Sequence, residues 1–212
     1  MTPAFLILTV LVAVIDWFAV ARRQHRVEVV AKPATLLLLI VAACFADLGD
    51  AKPWVVVALV LGVLGDVALL FTEAGAADVP FLIGLGSFLL GHVAYLAAFT
   101  RHGLHGLHMI AGALVVAGAV ALALPRVLRG ARASGGTPLS AVVTIYAVVL
   151  GAMTVLGFGT AAILTALGAL LFLGSDLVLA WSRFVQPLLR GPVIVIVTYH
   201  LAQLFIVVGL MR

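Results

Sequence analysis

The sequence contains very little charge. Only 9% of its 212 residues are Asp, Glu, Lys or Arg, whereas 65% are hydrophobic. Because soluble domains carry about 25% charged residues, this composition excludes a soluble globular domain and indicates an integral membrane protein. The net charge is +4, but the basic residues lie in short clusters between apolar runs. That pattern is typical of membrane topology signals and not of a nucleic-acid-binding surface.

Cysteine and the familiar enzyme motifs are also scarce. Cys44 is the one cysteine of the chain, which excludes an internal disulfide framework and a multi-cysteine metal site. No P-loop, dinucleotide fingerprint, serine-hydrolase elbow or HExxH motif occurs. The stretch HGLHGLH at 102–108 could hold a metal weakly at the outer surface, but an exposed interfacial loop is the better explanation. The sequence therefore predicts no cofactor and no metal.

Long apolar runs make up most of the chain. A bilayer-crossing helix needs about 20 largely apolar residues, and hydrocarbon offers backbone groups no water to bond. The sequence predicts an all-α polytopic membrane protein, a bundle of eight transmembrane helices in a single domain over 1–212. The N-terminal run lacks the basic start of a signal peptide, so we expect it to be a retained span. The predicted spans are 3–21, 34–48, 54–72, 80–99, 106–125, 138–156, 160–181 and 191–211.

The basic residues are distributed unevenly among the predicted loops. Nine of the twelve follow spans 1, 5 and 7, and three lie on the opposite side. The positive-inside rule therefore predicts cytoplasmic odd-numbered loops and extracytoplasmic termini. The nine are Arg22, Arg23, Arg26, Lys32, Arg126, Arg129, Arg132, Arg183 and Arg190.

Two pairs of spans resemble one another. VLGDVALLF and GHVAYLAAF in spans 3 and 4 are similar to LGSDLVLAW and TYHLAQLFI in spans 7 and 8. Four spans separate the pairs, so they would share one orientation, as in parallel transporter repeats. Two parallel four-helix repeats are one explanation of this similarity, and chance is the other.

Several ionisable residues lie inside the apolar runs. An ionised group near the bilayer centre costs about 2.5–3.5 kcal/mol on insertion scales, so Asp66 and Asp176 should face the bundle interior. Both lie about two-thirds of the way along their spans, in the predicted cytoplasmic half. The two aspartates either have a functional role or serve as hydrogen-bonded packing contacts between helices. Lys32, at the start of span 2, is either a snorkelling lysine, a counter-ion or a phosphate anchor, and Asp16 is expected to be structural.

Spans 4 and 8 each carry a polar face. Residues at three- and four-residue spacing share a helix face, which groups the small residues of span 4 with Ser87 and Tyr95 and puts His92 beside them. Span 8 carries Tyr199, His200 and Gln203 within about one turn. Taken together, these residues predict a polar interior.

The order of these short motifs resembles the YhhN-like membrane proteins, a family that includes the animal lysoplasmalogenases. The resemblance covers nearly the whole chain, and His200 departs from it. The matching positions are Lys32-Pro33, Gly65-Asp66, Gly84, Phe88, Gly91-His92, Tyr95, Ser175-Asp176 and Tyr199 to Gln203.

The resemblance implies hydrolysis of the vinyl-ether bond of lysoplasmalogens, or of a related lysophospholipid, in a bacterial inner membrane. Vinyl-ether hydrolysis starts with proton transfer to carbon and needs an acid and a carboxylate, as glycoside hydrolysis does. We expect Asp66 and Asp176 to be that pair. Lys32 would hold the phosphate, and six further residues would position substrate and water: Ser87, His92, Tyr95, Tyr199, His200 and Gln203.

Two other functions are consistent with the same residues. Intramembrane Asp and His residues can form relays in transporters, so a small-molecule or proton-coupled carrier is one alternative. A lipid-binding bundle without catalysis is another. In each case the expected partners are membrane lipids, and nucleic acid is not among them.

Overall fold

The computed structural model describes residues 1–72 and 79–212. Those residues form an all-helical structure with seven α-helices and no β-strand. All seven are long and apolar enough to cross a membrane. The helices are α1 (Thr2–Ala21), α2 (His25–Phe45), α3 (Lys52–Leu69), α4 (Val79–His102), α5 (Gly106–Gly159), α6 (Ile163–Phe184) and α7 (Gly191–Gly209), with a short 3₁₀ turn at Gly49–Ala51 before α3.

The prediction of eight separate helices is not confirmed, because predicted spans 5 and 6 both lie in α5. This 54-residue helix is broken at Gly135 and Gly136, whose backbone angles are not helical. Gly136 has φ +68°, a conformation that glycine adopts without the steric cost a side chain would impose. The chain reverses direction there, and α5 consists of a first arm (106–134) and a second arm (137–159).

The two arms of α5 pack against each other along their length. A side chain added at Gly112 would come within 3.0 Å of Phe158, and one at Gly151 would come within 3.0 Å of Val116. At the far end the amide of His105 donates to the carbonyl of Gly159 at 2.7 Å. Contacts between residues near the start of one arm and near the end of the other define an antiparallel hairpin.

Helix α2 begins earlier than the sequence predicts. The predicted span starts at residue 34, directly after Lys32 and Pro33, but α2 starts at His25 and Pro33 lies inside it. The extra turns carry an ion pair between Glu28 and Lys32 at helical spacing, which stabilises them. As a result Lys32 lies within the helix and not at its beginning.

The helices form a closed bundle. Each helix packs on the next in the chain, and α7 packs back on α1 and α2. The lipid-facing side is apolar, with Leu114 69% and Val148 66% exposed, whereas Asp16, Asp66 and His92 are buried. An apolar exterior with the ionisable side chains turned inward is the arrangement expected in a bilayer.

All nine basic residues of the odd-numbered loops lie near the same end of this bundle, which we call the basic end. There α1 passes into α2, α3 ends, α5 reverses, and α6 ends shortly before α7 begins. The opposite end holds the chain termini, where the amide of Arg212 donates to the carbonyl of Asp47 at 3.0 Å. Most of the positive charge of the folded chain therefore lies at one end of the bundle, as the distribution of basic residues among the loops predicts.

Candidate functional site

A polar cavity of about 220 Å³ opens among the helices at the basic end. Both sequence-predicted aspartates line it, Asp66 from α3 and Asp176 from α6, and Lys32 lines it from α2. The aspartates come together here because glycine residues of α3 allow α4 and α7 to pack closely against it. A side chain added at Gly65 would meet Phe88 of α4, and one at Gly62 would meet Tyr199 of α7. The aspartates are thus enclosed in one space.

Asp176 is held by a three-residue hydrogen-bond cluster. The Tyr146 hydroxyl donates to Asp176 Oδ2 at 2.6 Å, and His92 Nε2 lies 3.2 Å from the same oxygen. The Tyr146 hydroxyl is also 3.3 Å from His92 Nε2. The three side chains come from α5, α6 and α4. Donors converging on one carboxylate oxygen stabilise negative charge there and fix the orientation of the carboxylate.

Asp66 has a different environment. It is 3% exposed, and its Oδ2 has no hydrogen-bond partner among the described residues. The Tyr199 hydroxyl lies close to the Asp66 carboxyl group and to the Gln203 amide, but among the described residues none of its contacts has the distance and angles of a well-formed hydrogen bond. Tyr199 is instead oriented by edge-to-face contacts with Phe88 and Phe172. The cavity therefore contains two carboxyl groups with unequal hydrogen bonding.

Lys32 is engaged by a carboxylate that the sequence analysis did not single out. Its Nζ donates to Glu28 Oε1 at 2.6 Å, and the two side chains are 14% and 20% exposed. Glu28 also lines the polar cavity, as does Arg183 from the end of α6. This part of the cavity wall therefore carries two cations and one carboxylate. The cations can bind a phosphate, and the carboxylate can bind a positively charged group beside that phosphate.

The other predicted positioning residues divide into three groups. His92 contacts Asp176 directly, and Tyr199 lines the cavity. Tyr95 and Gln203 are bonded to each other, the Tyr95 hydroxyl donating to Gln203 Oε1, in the adjoining interior. Ser87 donates to the carbonyl of Ile83 in its own helix at 2.9 Å and does not line the cavity.

His200 also lies in the adjoining interior, where its partner is a tryptophan. The Trp17 indole N–H of α1 donates to His200 Nδ1 at 3.1 Å. Because Nδ1 accepts, the neutral ring carries its proton on Nε2. Asp16, the neighbour of Trp17, is fully buried, and neither of its carboxyl oxygens has a hydrogen-bond partner within residues 1–72 and 79–212.

No group of three or more His, Cys, Asp or Glu side chains is arranged as metal ligands in the described part of the chain. In the HGLHGLH stretch the rings of His105 and His108 lie 6.0 Å apart. They are located where α5 begins, at the end of the bundle opposite to the polar cavity. This stretch does not contribute to the candidate site.

Sequence reasoning missed Tyr146, Glu28 and Arg183. Tyr146 carried a usable signal, because the chain has three tyrosines and the other two were already candidates. Glu28 carried another, because it lies four residues before Lys32, where opposite charges pair on a helix. Arg183 was counted only as a topology signal, since a basic residue at a span end has that role by default.

Two comparisons with known proteins found relatives of this chain. The sequence profile of the YhhN family matches residues 27–210. The human protein named lysoplasmalogenase TMEM86B is 49% identical to this chain over 45 residues, which is 21% of this chain and 20% of that protein. The local match thus spans about a fifth of the curated relative. No solved structure matches the chain.

Proposed function

The chain belongs to the YhhN family, and on that premise we propose that it is a membrane-embedded hydrolase of single-chain ether lipids. The proposed reaction cleaves the vinyl-ether bond of a lysoplasmalogen and yields a fatty aldehyde and a glycerophospho-alcohol. The name of the human relative suggests the reaction. The observation that carries the proposal is that Asp66 and Asp176 line one cavity with Lys32 at its mouth.

We propose that the two aspartates have different tasks. Asp66 gives its proton to the β-carbon of the vinyl ether, and the C=C electron pair forms the new C–H bond. Asp66 suits this role because it is buried and its Oδ2 has no well-formed hydrogen bond among the described residues. The product of this step is an oxocarbenium ion.

Asp176 then completes the reaction. Its carboxylate, oriented by Tyr146 and His92, stabilises the cation and accepts a proton from the attacking water. The resulting hemiacetal then breaks its C–O bond. Asp176 returns the water proton to the leaving alcohol oxygen, and the hemiacetal hydroxyl proton passes to Asp66, so the aldehyde and the alcohol leave and both carboxyl groups regain their starting states. Lys32 and Arg183 would hold the phosphate at the mouth of the cavity.

We propose a matching arrangement in the membrane. The two arms of α5 each cross the bilayer, which gives eight crossings. The basic end faces the cytoplasm of a bacterium and the termini face outward, in accordance with the positive-inside rule. The phosphate site would then lie at the level of the inner-leaflet headgroups.

The decisive experiment measures aldehyde release from a lysoplasmalogen by the purified protein in detergent. We expect turnover in the wild type. The substitutions Asp66→Asn and Asp176→Asn should each reduce kcat by at least about a thousandfold, since each removes a group required for proton transfer. Asp50→Asn, in the exposed turn before α3, is the matched control and should keep wild-type turnover.

The same assay tests the alternatives. Near-normal hydrolysis in both cavity variants would refute the aspartate pair. Absence of hydrolysis, together with substrate uptake in sealed vesicles, would show a transporter. Lipid binding with neither hydrolysis nor uptake would show a non-catalytic lipid-binding bundle.

A further inference from the structure

A second cavity adjoins the polar one, and its walls are almost entirely apolar. Its volume is about 100 Å³, and its walls come mainly from apolar residues of both α5 arms, α4 and α6. Val116 and Ala119 line it from the first arm of α5, and Val143 and Ala147 line it from the second. Apolar cavities of about 150 Å³ stay dry and take up hydrophobic ligands such as benzene. This cavity is suited to hydrocarbon.

The two cavities meet at the proposed catalytic carboxylate. Asp176 lines both of them, as do Phe88 and Arg183. The Tyr146 side chain, which holds Asp176, also lines the apolar cavity. A molecule that occupied both cavities would therefore pass Asp176 at the boundary between its polar and its apolar part.

The apolar cavity also reaches the outside of the bundle. Val120 is one of its lining residues and is 42% exposed on the lipid-facing side of the first α5 arm. A hydrocarbon chain could enter from the bilayer at this point without passing through water, so the cost of exposing apolar surface is avoided.

From this geometry we propose that the apolar cavity binds the hydrocarbon chain of a single-chain lipid that enters sideways from the bilayer. The proposal rests on the proposed function, and it assigns a chain-binding site to the hairpin of α5. The headgroup then occupies the polar cavity, and the bond between headgroup and chain lies beside Asp176. The junction between polar and apolar parts is where a vinyl ether is located in such a lipid.

The test narrows the cavity from each arm of α5. Ala119→Phe and Ala147→Phe place a ring in the cavity, whereas Ala121→Phe and Ala141→Phe make the same change at exposed positions of the same two arms. Two series of lysolipids are compared, with chains that lengthen by two carbons. The first series carries the vinyl ether, and kcat/KM is measured. The second carries a saturated alkyl ether that cannot be protonated at carbon, and its Kd is measured.

For the wild type, with Kd referred to the free lipid monomer in water, we expect affinity to rise about fourfold per buried methylene until the cavity is filled. In each cavity variant, affinity and kcat/KM should fall about tenfold or more for the longest chains and much less for the shortest, because the added ring displaces the end of the chain. The two exposed-position variants should keep the wild-type profile. Thermal unfolding in detergent confirms that every variant is folded.

Two results would overturn the proposal. One is a wild-type Kd that does not depend on chain length. The other is a wild-type chain profile in folded cavity variants, which would mean that only an ordinary bilayer chain rests in this space. The alkyl-ether series keeps the two proposals separate, because its binding can be measured even if no lipid is hydrolysed.

Discussion

The three tyrosines of the chain all lie in the interior beside other polar groups. Tyr95 is bonded to Gln203, Tyr146 donates to Asp176, and Tyr199 lies next to Asp66. All three are at least nine-tenths buried. A phenol combines a large apolar ring with one polar group, so it can fill space between apolar helices and still direct a hydroxyl to a chosen partner.

The hydroxyl of Tyr146 should therefore matter for turnover more than for stability. In Tyr146→Phe the ring remains, but Asp176 loses its 2.6 Å donor. A hydrogen bond to a charged group contributes about 1.5–3 kcal/mol, so we expect kcat to fall by about 10- to 100-fold. KM should change much less, because the tyrosine hydroxyl is not proposed to bind the headgroup.

Steady-state kinetics of aldehyde release measures this split between kcat and KM. Thr144→Ala is the control, since it removes a hydroxyl on the exposed side of the same helix arm, where Thr144 donates to the carbonyl of Ser140. Equal kinetics in Tyr146→Phe and wild type would show that Tyr146 does not position Asp176.

The ion pair of Lys32 and Glu28 leads to a prediction about KM and not about kcat. Lys32→Gln removes a cation from the cavity mouth, so KM for a phosphorylated lipid should rise about tenfold or more, with a smaller change in kcat. Glu28→Gln should not raise KM for a lipid whose headgroup is anionic, because it releases Lys32 from its 2.6 Å partner.

Lipids with a phosphate are compared with neutral ether lipids that lack it. The Lys32→Gln effect should be confined to the phosphorylated series. If both series weaken equally, Lys32 supports the local structure and does not bind phosphate.

At the scale of the elements, the hairpin of α5 is the feature that shapes the site. Its second arm carries Tyr146 to Asp176, and the space beside its two arms forms the apolar cavity. The arms approach closely because glycine occupies their contact positions, as small residues commonly do between membrane helices. The interruption at Gly135 and Gly136 allows the chain to reverse within one long helical segment.

This packing can be tested with two matched glycines of the first arm. A side chain at Gly112 would come within 3.0 Å of both Val155 and Phe158, whereas one at Gly118 would meet no atom of the described residues within 4 Å. Gly112→Leu should therefore destabilise the protein by about 1–3 kcal/mol, as overpacking typically does. Gly118→Leu should be neutral or slightly stabilising, because glycine is a poor helix former.

Thermal unfolding of both variants in the same detergent measures the difference. Equal melting temperatures would contradict the contact between the two arms. A lower melting temperature in Gly118→Leu alone would contradict the assignment of the outer face.

At the scale of the whole molecule, charge and polarity have separate distributions. Nine of the twelve basic residues lie at one end of the bundle. Buried polar side chains lie in the interior, and the sides are apolar. The first distribution orients a protein in the bilayer. The second distribution includes the side chains that line the polar cavity at the basic end.

Orientation can be measured with single cysteines at the two ends. In a Cys44→Ala background, Asp50→Cys places a thiol at the end with the chain termini, and Gln24→Cys places one at the basic end; both positions are exposed. In intact cells a membrane-impermeant maleimide should label position 50 and not position 24. Position 24 should become labelled only after the cells are opened, and the reverse pattern would refute the proposed orientation.

The sequence alone determined that this is an all-helical membrane protein and that Asp66, Asp176 and His92 face its interior. The reason is that the cost of placing charge in hydrocarbon depends on the residue and its neighbours along the chain, and both can be read from the sequence. The sequence also shows the two arms of α5 as two separate apolar runs. It does not show that both runs belong to one helix interrupted at Gly135 and Gly136.

Only the tertiary structure decided which polar groups meet. The contact of Tyr146 with Asp176, the indole bond to His200 and the shared wall of the two cavities depend on the rotation and spacing of helices that are far apart in the chain. The register of a helix against a distant neighbour is set by the packing of many side chains at once. No local pattern of residues determines it.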